Sequence, residues 1–162
     1  MAERHGERLK RGKERSLVAE ARIDGKRVAL AFPQTYVNDS GLAVKALVRR
    51  HGIDDLRKLV VVHDELDLPV GRVKLKIGGG TAGHNGLKSI QAHLHDNGFV
   101  RVRIGVDKPP GKRQGADHVL RKPSKADKDA LDVAVEVAAD AVEAILTEGP
   151  EPAMNRFNTR PD

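Results

Sequence analysis

The sequence contains no cysteine, and this absence excludes several kinds of chemistry. Disulfide bonds, thiolate metal sites and a cysteine nucleophile all need a thiol. No hydrophobic run approaches the roughly 20 residues that a membrane-spanning helix requires, and the charged N-terminus lacks the apolar core of a signal peptide. We therefore expect no association with a membrane, and the lack of cysteine is compatible with a cytoplasmic protein.

Aromatic residues are also scarce, with three phenylalanines, one tyrosine and no tryptophan. This is too few for a surface that binds single-stranded nucleic acid by stacking its bases. Positive charge, in contrast, is in excess, because 29 Lys and Arg residues outnumber 23 Asp and Glu residues and give a net charge of +6. Such an excess suits a polyanionic partner bound through its phosphates, and it is equally compatible with a soluble basic protein.

Strand and helix patterns alternate along the chain, which predicts an α/β protein. A length of 162 residues suits one domain that buries a core of its own. Apolar segments on both sides of Asp24-Gly25 predict a β-hairpin. Further strands are predicted at Lys58–His63, Arg72–Ile77 and Val100–Val106. Helices are predicted at Gly41–Arg50, Asn85–His95 and Ser124–Thr147, the last of them stopped by Gly149-Pro150 and followed by no further predicted element.

The segment between Val60 and Ile90 carries the most chemistry. One strand ends in His63-Asp64-Glu65, and the strand after it leads through glycines to Gly83-His84-Asn85-Gly86. Strand ends that bring carboxylate, imidazole and amide groups to one edge are the usual place for a site in α/β proteins. Within the second strand apolar residues alternate with Arg72, Lys74 and Lys76, so we predict one dry face and one basic face.

Three other interpretations of the chain are weaker. Gly78-x-Gly80-x-x-Gly83, with Asp107 as a ribose-binding acid, satisfies the dinucleotide fingerprint, but it lies mid-chain with one predicted strand after it. A metal site at His63, Asp64 and Asp67 would need more converging ligands. A serine nucleophile is disfavoured because no serine lies in a G-x-S-x-G motif. The basic segment Arg4–Arg15 is best interpreted as a solvated tail or a frayed helix end.

Several motifs in series resemble the bacterial peptidyl-tRNA hydrolase family. They are PQTYVNDSG at Pro33–Gly41, HDELDLPVG from His63, GGGTAGHNGLKSI from Gly78, RVRIG at Arg101–Gly105, and NRFN at Asn155–Asn158. The resemblance covers nearly the whole chain. It implies an enzyme that cleaves the ester between a peptide and the 3′ ribose of tRNA. It also implies a single α/β domain with a mixed β-sheet flanked by helices, no metal or other cofactor, a monomer and a cytoplasmic location.

The resemblance assigns roles residue by residue. In the family a histidine activates water and an aspartate, matched by Asp64, steadies its imidazole. The residues that match the substrate-binding positions are Tyr36, Asn38, His84 and Asn85, with His84 in a supporting role. Lys76 and Arg103 match a basic pair that meets a tRNA phosphate. Two structural alternatives stay open: Asn38 could cap one helix, and Asn85 could simply begin the next.

One part of the family pattern does not appear in these residues. Family members begin with a strand, a Gly-Asn-Pro-Gly turn and a Thr-Arg-His-Asn motif that bears the catalytic histidine, and none of the seven histidines here matches it. We therefore expect that the first strand is missing because the sequence starts at an internal methionine of a longer protein, rather than because it is a truncated relative. The 162 residues alone are expected to be poorly stable and nearly inactive. A non-catalytic tRNA-binding protein and a dinucleotide-binding protein are the alternatives.

Overall fold

A computed structural model describes residues 1–107 and 124–159, and strands alternate with helices along them. The strands are β1 (Lys10–Arg11), β2 (Ser16–Ile23), β3 (Lys26–Pro33), β4 (Val60–Glu65), β5 (Val73–Ile77) and β6 (Val100–Gly105). The helices are α1 (Ser40–Arg50), α2 (Asn85–Leu94), α3 (Lys125–Glu148) and α4 (Pro150–Asn158). Residue contacts group the chain into a first unit, Met1–Leu59 with Gly78–Phe99, and a second unit, Val60–Ile77 with Val100–Asp162.

The first unit contains an antiparallel sheet with the strand order β1-β2-β3. Strands β2 and β3 pair along their whole length, from Ser16 opposite Pro33 to Ile23 opposite Lys26. Asp24 and Gly25 connect them with φ angles of +53° and +73°. Two successive positive φ angles are the mark of a type I′ turn, which matches the twist of a two-residue hairpin. The predicted hairpin is confirmed.

The basic N-terminal segment is not a detached tail, and in this respect our expectation was wrong. Lys10 and Arg11 form a short strand opposite Val18 and Leu17 of β2, and the Gly12 amide donates to the Ser16 carbonyl over 2.8 Å. The open edge of β2 offers backbone hydrogen-bond partners to any neighbouring extended segment, whatever its side chains are. This pairing therefore gives no signal in the hydrophobic pattern of the sequence.

Helices α1 and α2 of the first unit approach each other closely at Gly41. The Gly41 amide donates to the Ser89 hydroxyl over 2.8 Å, and both residues are buried. A Cβ atom at position 41 would overlap the Ser89 carbonyl oxygen. Glycine therefore sets the separation of the two helices. It also sets the position of the turn at Val37–Asp39, which leads into α1 and packs against α2.

The second unit contains a mixed sheet with the strand order β4-β6-β5. The central strand β6 runs parallel to β4 and antiparallel to β5. Residues of β5 and β6 that share one face are buried, namely Val73, Leu75, Val100 and Val102. The predicted fold class, α/β with a mixed sheet flanked by helices, is confirmed.

Helix α3 begins and ends as the sequence predicts, but a further helix follows it. The Ser124 hydroxyl accepts from the Asp127 amide over 3.1 Å, and the apolar stripe includes the buried residues Ala134 and Ala141. Gly149, with a φ angle of +94°, ends α3, and Pro150 begins α4. The sequence predicts the stop and not the new helix. Proline ends one helix and yet suits the first turn of another, where its missing N–H costs nothing.

The last residue of α4, Asn158, forms hydrogen bonds with the backbone of β5 at the edge of the second unit's sheet. The Asn158 side chain accepts from the Leu75 amide over 2.8 Å and donates to the Leu75 carbonyl over 2.9 Å. Leu75 lies in β5, which pairs with β6 on one side and with no other strand of the described residues. Asn158 therefore satisfies the backbone N–H and C=O of one residue on the edge of β5 that pairs with no described strand.

Two further expectations concern the membrane and the loop after β6. In residues 1–107 and 124–159, no helix is both long enough and apolar enough to cross a bilayer. The loop rich in Pro, Gly and Lys, predicted at Asp107–Gln114, lies outside the described residues after its first residue. It stays a prediction.

Gly41→Ala should destabilise the chain by about 1–3 kcal/mol, because the added methyl group forces α1 and α2 apart. Gly80→Ala is the matched control, since Gly80 is exposed and a Cβ atom added there would meet nothing within 4 Å. The free energy of unfolding in urea measures both. A Gly41→Ala variant with the midpoint of the unmodified chain would refute the close-approach argument.

Candidate active site

Asp64 is half-buried and lies near the end of β4. The pairing register of β4 with β6 determines the face of the sheet on which the Asp64 side chain lies. Asp64 stands opposite Ile104 of β6, whereas His63 stands opposite Arg103. Side chains alternate along a strand, so the Asp64 carboxylate and the His63 imidazole lie on opposite faces of the sheet. His63 Nδ1 instead donates to the backbone carbonyl of Asp64 over 2.8 Å. His63 is thus adjacent in sequence to the expected orienting acid but is not directed towards its carboxylate.

The face of the sheet opposite to Asp64 is strongly basic. In the antiparallel pairing of β5 and β6, Lys74 stands opposite Arg103 and Lys76 stands opposite Arg101. The predicted pair, Lys76 and Arg103, therefore lies diagonally across adjacent strands on one face. We name Lys74, Lys76, Arg101 and Arg103 the basic sheet face. The sequence places Lys74 and Lys76 on one basic strand face and identifies Lys76 and Arg103 as the phosphate pair, but Arg101 was missed, although the alternation in RVRIG places Arg101 and Arg103 together.

Glu65 lies beside Arg103 of the basic sheet face. Glu65 Oε1 lies 3.9 Å from the Arg103 guanidinium, and Glu65 Oε2 accepts from the Asp67 amide over 3.4 Å. Arg101 is almost completely buried, with 1% of its surface exposed. Burial lowers the pKa of Arg101, nearby Arg103 lowers it further, and Glu65 opposes both effects. Because the pKa of arginine normally lies far above neutral, Arg101 remains a cation and adds to the positive potential.

In the first unit, Tyr36 and Asn38 lie on the turn that precedes α1. Tyr36 is 87% exposed, and Asn38 is exposed within the short 3₁₀ turn Val37–Asp39. The N-cap residue of α1 is Asp39, and its side chain makes no capping hydrogen bond. The alternative in which Asn38 serves as the helix cap is therefore wrong. Within the described part of the chain, the side-chain amide of Asn38 has no hydrogen-bond partner, so this group is available to a ligand.

His84 and Asn85 mark the start of α2. Asn85 is the first helical residue and is exposed, and the cap is His84, whose Nδ1 accepts from the Leu87 amide over 3.2 Å. A neutral imidazole that accepts at Nδ1 carries its proton on Nε2. His84 therefore has a structural role that sequence reasoning did not foresee. The Asn85 side chain makes no hydrogen bond to any residue that the structure describes.

The structure brings the two asparagine segments of the first unit side by side. A Cβ atom at Gly86 would lie 3.2 Å from His84 Nδ1 and 3.3 Å from Val37 Cγ1, so both side chains pack over this glycine. Val37 precedes Asn38, and Gly86 follows Asn85. The exposed side-chain amides of Asn38 and Asn85, which make no hydrogen bond to a described residue, thus lie on adjoining segments. An amide both donates and accepts, which suits a peptide backbone and a developing oxyanion.

The geometry disfavours a dinucleotide ligand. The dinucleotide fingerprint requires a parallel strand–helix–strand unit, whereas β5, which precedes the glycines, is antiparallel to β6. The dinucleotide interpretation therefore fails. Across residues 1–107 and 124–159, no three histidine or acidic side chains are grouped so as to hold a metal ion.

Comparisons with known proteins identify the family. The family model described as peptidyl-tRNA hydrolase matches residues 1–162. The chain belongs to the peptidyl-tRNA hydrolase family. The Frankia alni peptidyl-tRNA hydrolase is 46% identical over 158 residues, which cover 98% of this chain and 80% of that protein. The Chloroflexus aurantiacus enzyme is 45% identical over 158 residues, covering 98% of this chain and 84% of its relative.

A solved structure agrees with the sequence relatives. The crystal structure of peptidyl-tRNA hydrolase from Acinetobacter baumannii has a TM-score of 0.89 and 34% sequence identity, covering 98% of this chain and 80% of that one. The family, the hydrolase class and the fold class predicted from the motifs are thereby confirmed. A non-catalytic tRNA-binding protein is not favoured.

The role of His84 as a cap is open to a direct test. His84→Ala should lower the free energy of unfolding by about 0.5–2 kcal/mol, because the Leu87 amide loses its acceptor. His84→Asn supplies another capping oxygen and should retain most of the stability, and chemical denaturation compares the two. If activity falls in both variants while stability falls only in the alanine variant, His84 has a further role beyond capping. Equal stability of all three proteins would contradict the capping role.

Proposed function

We propose that the hydrolysis of peptidyl-tRNA in this chain depends on Asp64, Asn38 and Asn85. Ester hydrolysis through water needs a base, an acid that orients the base, and donors where charge develops on the carbonyl oxygen. The observation that carries this assignment is that the side-chain amides of Asn38 and Asn85 are exposed, lie on adjoining segments and make no hydrogen bond within residues 1–107 and 124–159. Asn38 and Asn85 would hold the peptide end and the reacting ester, and Tyr36 would lie beside Asn38.

Asp64 is proposed to orient a histidine base that none of the motif histidines supplies. His63 faces away from the Asp64 carboxylate, and its Nδ1 is bonded to a carbonyl. His84 Nδ1 is committed to the first turn of α2. We therefore propose that neither His63 nor His84 is the base that Asp64 orients.

The tRNA is proposed to bind through the basic sheet face. Lys76 and Arg103 would contact a phosphate directly, and buried Arg101 would add to the potential from below. Hydrogen bonds between a cation and a phosphate are short and strong, and they displace counterions from the nucleic acid. We also propose that residues 1–162 function as one domain and as a cytoplasmic monomer, without a metal or another cofactor.

Turnover of a peptidyl-tRNA tests the assignment of Asp64. The 162-residue chain should be at least about a hundredfold slower than the Acinetobacter baumannii enzyme, since general base catalysis by a positioned side chain contributes 10²–10⁴-fold. Added imidazole should raise the rate, and Asp64→Asn should remove that response. Full turnover without imidazole, unchanged by Asp64→Asn, would refute the proposed role.

The phosphate site is tested by the double variant Lys76→Ala with Arg103→Ala. Its affinity for tRNA should fall, and the slope of log Kd against log salt should decrease by about two, because two phosphate contacts are lost. Lys45→Ala with Arg49→Ala on α1 removes the same two residue types from exposed positions and should have little effect. Binding by the first variant that equals binding by the control would exclude the phosphate site.

A further inference from the structure

The hairpin formed by β1 and the start of β2 carries a cluster of exposed cations. We name these residues the basic hairpin: Arg8, Lys10, Arg11, Lys13 and Arg15. Within residues 1–107 and 124–159, none of the five forms an ion pair. Glu14, the acid among them, is instead engaged by Arg50 over 3.0 Å, with 9% of its side chain exposed. The cluster therefore keeps its full positive charge at the surface.

The basic hairpin is attached to the loop that carries Tyr36 and Asn38. The carbonyl of Arg15 accepts from the Gln34 amide over 2.7 Å, and Gln34 lies two residues before Tyr36. Arg15 also lines one open surface cavity together with Thr35 and Tyr36. All of these residues belong to the first unit. A ligand that reaches the proposed substrate loop would therefore come next to the cations of the hairpin.

We propose that the basic hairpin is a second phosphate-binding surface for tRNA, separate from the basic sheet face. This inference rests on the proposed function, because it takes the tRNA backbone as the ligand. A nucleic acid backbone presents repeated phosphates, and clustered Lys and Arg side chains gain affinity by displacing the counterions around them. Contacts of this kind carry no sequence information, which suits an enzyme whose substrates differ in their tRNA.

An anionic membrane is the competing ligand for such a cluster, and the structure favours RNA. Peripheral membrane segments combine basic residues with apolar side chains that enter the lipid. Leu9, the large apolar residue of this segment, is not among the exposed apolar side chains, so no exposed large apolar side chain lies between the cations of the basic hairpin. The exposed Phe32 and Tyr36 belong to β3 and to the loop after it, although Tyr36 lines the same cavity as Arg15. A second alternative is structural, because charged residues on an edge strand prevent edge-to-edge association between molecules.

The test compares two triple variants that remove equal charge from opposite ends of one sheet. Lys10→Ala, Arg11→Ala and Lys13→Ala neutralise the basic hairpin. Arg22→Ala, Lys26→Ala and Arg27→Ala neutralise the β2–β3 turn, where Arg27 pairs with Glu20 over 3.2 Å. Binding of deacylated tRNA is measured over a range of salt concentrations. The hairpin variant should bind at least about tenfold more weakly in 0.1 M salt, with a slope lower by two or three, and the turn variant should bind nearly normally.

A glutamine version of the hairpin variant keeps the side chains long and polar, and urea unfolding checks that each variant is folded. Normal affinity and slope in the folded hairpin variants would overturn the proposal. So would equal losses in the hairpin and turn variants, which would indicate net charge alone. Retained tRNA binding with increased self-association would support the edge-protection alternative and also overturn it.

The remaining outcomes separate this proposal from the proposed function. Loss of binding to phosphatidylglycerol vesicles, with tRNA binding intact, would assign the hairpin to a membrane and overturn the proposal. If the unmodified chain binds tRNA but does not cleave peptidyl-tRNA even with imidazole, the proposed function fails while the hairpin remains testable by affinity. If the unmodified chain does not bind tRNA, both fail.

Discussion

The pairing of β6 with both of its neighbours is the constraint on which the second unit depends. Because β6 runs parallel to β4 and antiparallel to β5, a single register fixes what lies on each face. Arg103 is placed in one row with His63 and Lys74, and Ile104 in another with Asp64 and Val73. A shift of one residue would exchange these faces and bring the Asp64 carboxylate among the cations. The Asp64 carboxylate, proposed as the orienting acid, and the basic sheet face therefore lie on opposite faces through backbone pairing alone.

The first unit depends in the same way on a close approach of backbones. The Gly41 amide bonds to the Ser89 side chain, and this close approach holds the turn at Val37–Asp39 against the start of α2. Gly86, also on α2, allows a similar close approach, because the side chains of His84 and Val37 pack against the position that a Cβ atom would occupy. Both exposed asparagines therefore belong to segments that pack against each other.

The sequence predicts the helices and strands of this fold better than it predicts which of them pair or pack together. Strand and helix patterns located α1, α2 and α3, because each has a clear apolar period, and Asp24-Gly25 identified its turn. The pattern could not show that Pro150 begins a helix or that Lys10 and Arg11 extend a sheet, since neither depends on hydrophobic spacing. The sequence also could not exclude a dinucleotide site. The glycine motif is visible in a short stretch of sequence, whereas the antiparallel pairing of β5 with β6, which contradicts such a site, depends on residues far apart in the chain.

At the candidate site, the structure changes how strongly each predicted residue is supported as a functional residue. A structural explanation competed with function for Asn38 and Asn85, and it fails for Asn38, which caps nothing. For His84 the structural explanation holds, because capping of α2 accounts for a histidine in the GHNG turn without any catalytic or binding role. Asp64 faces away from its neighbour His63, so an orienting role requires an imidazole from elsewhere. Asn38 and Asn85 are therefore the strongest candidates for substrate binding, because neither side chain makes a hydrogen bond within the described chain.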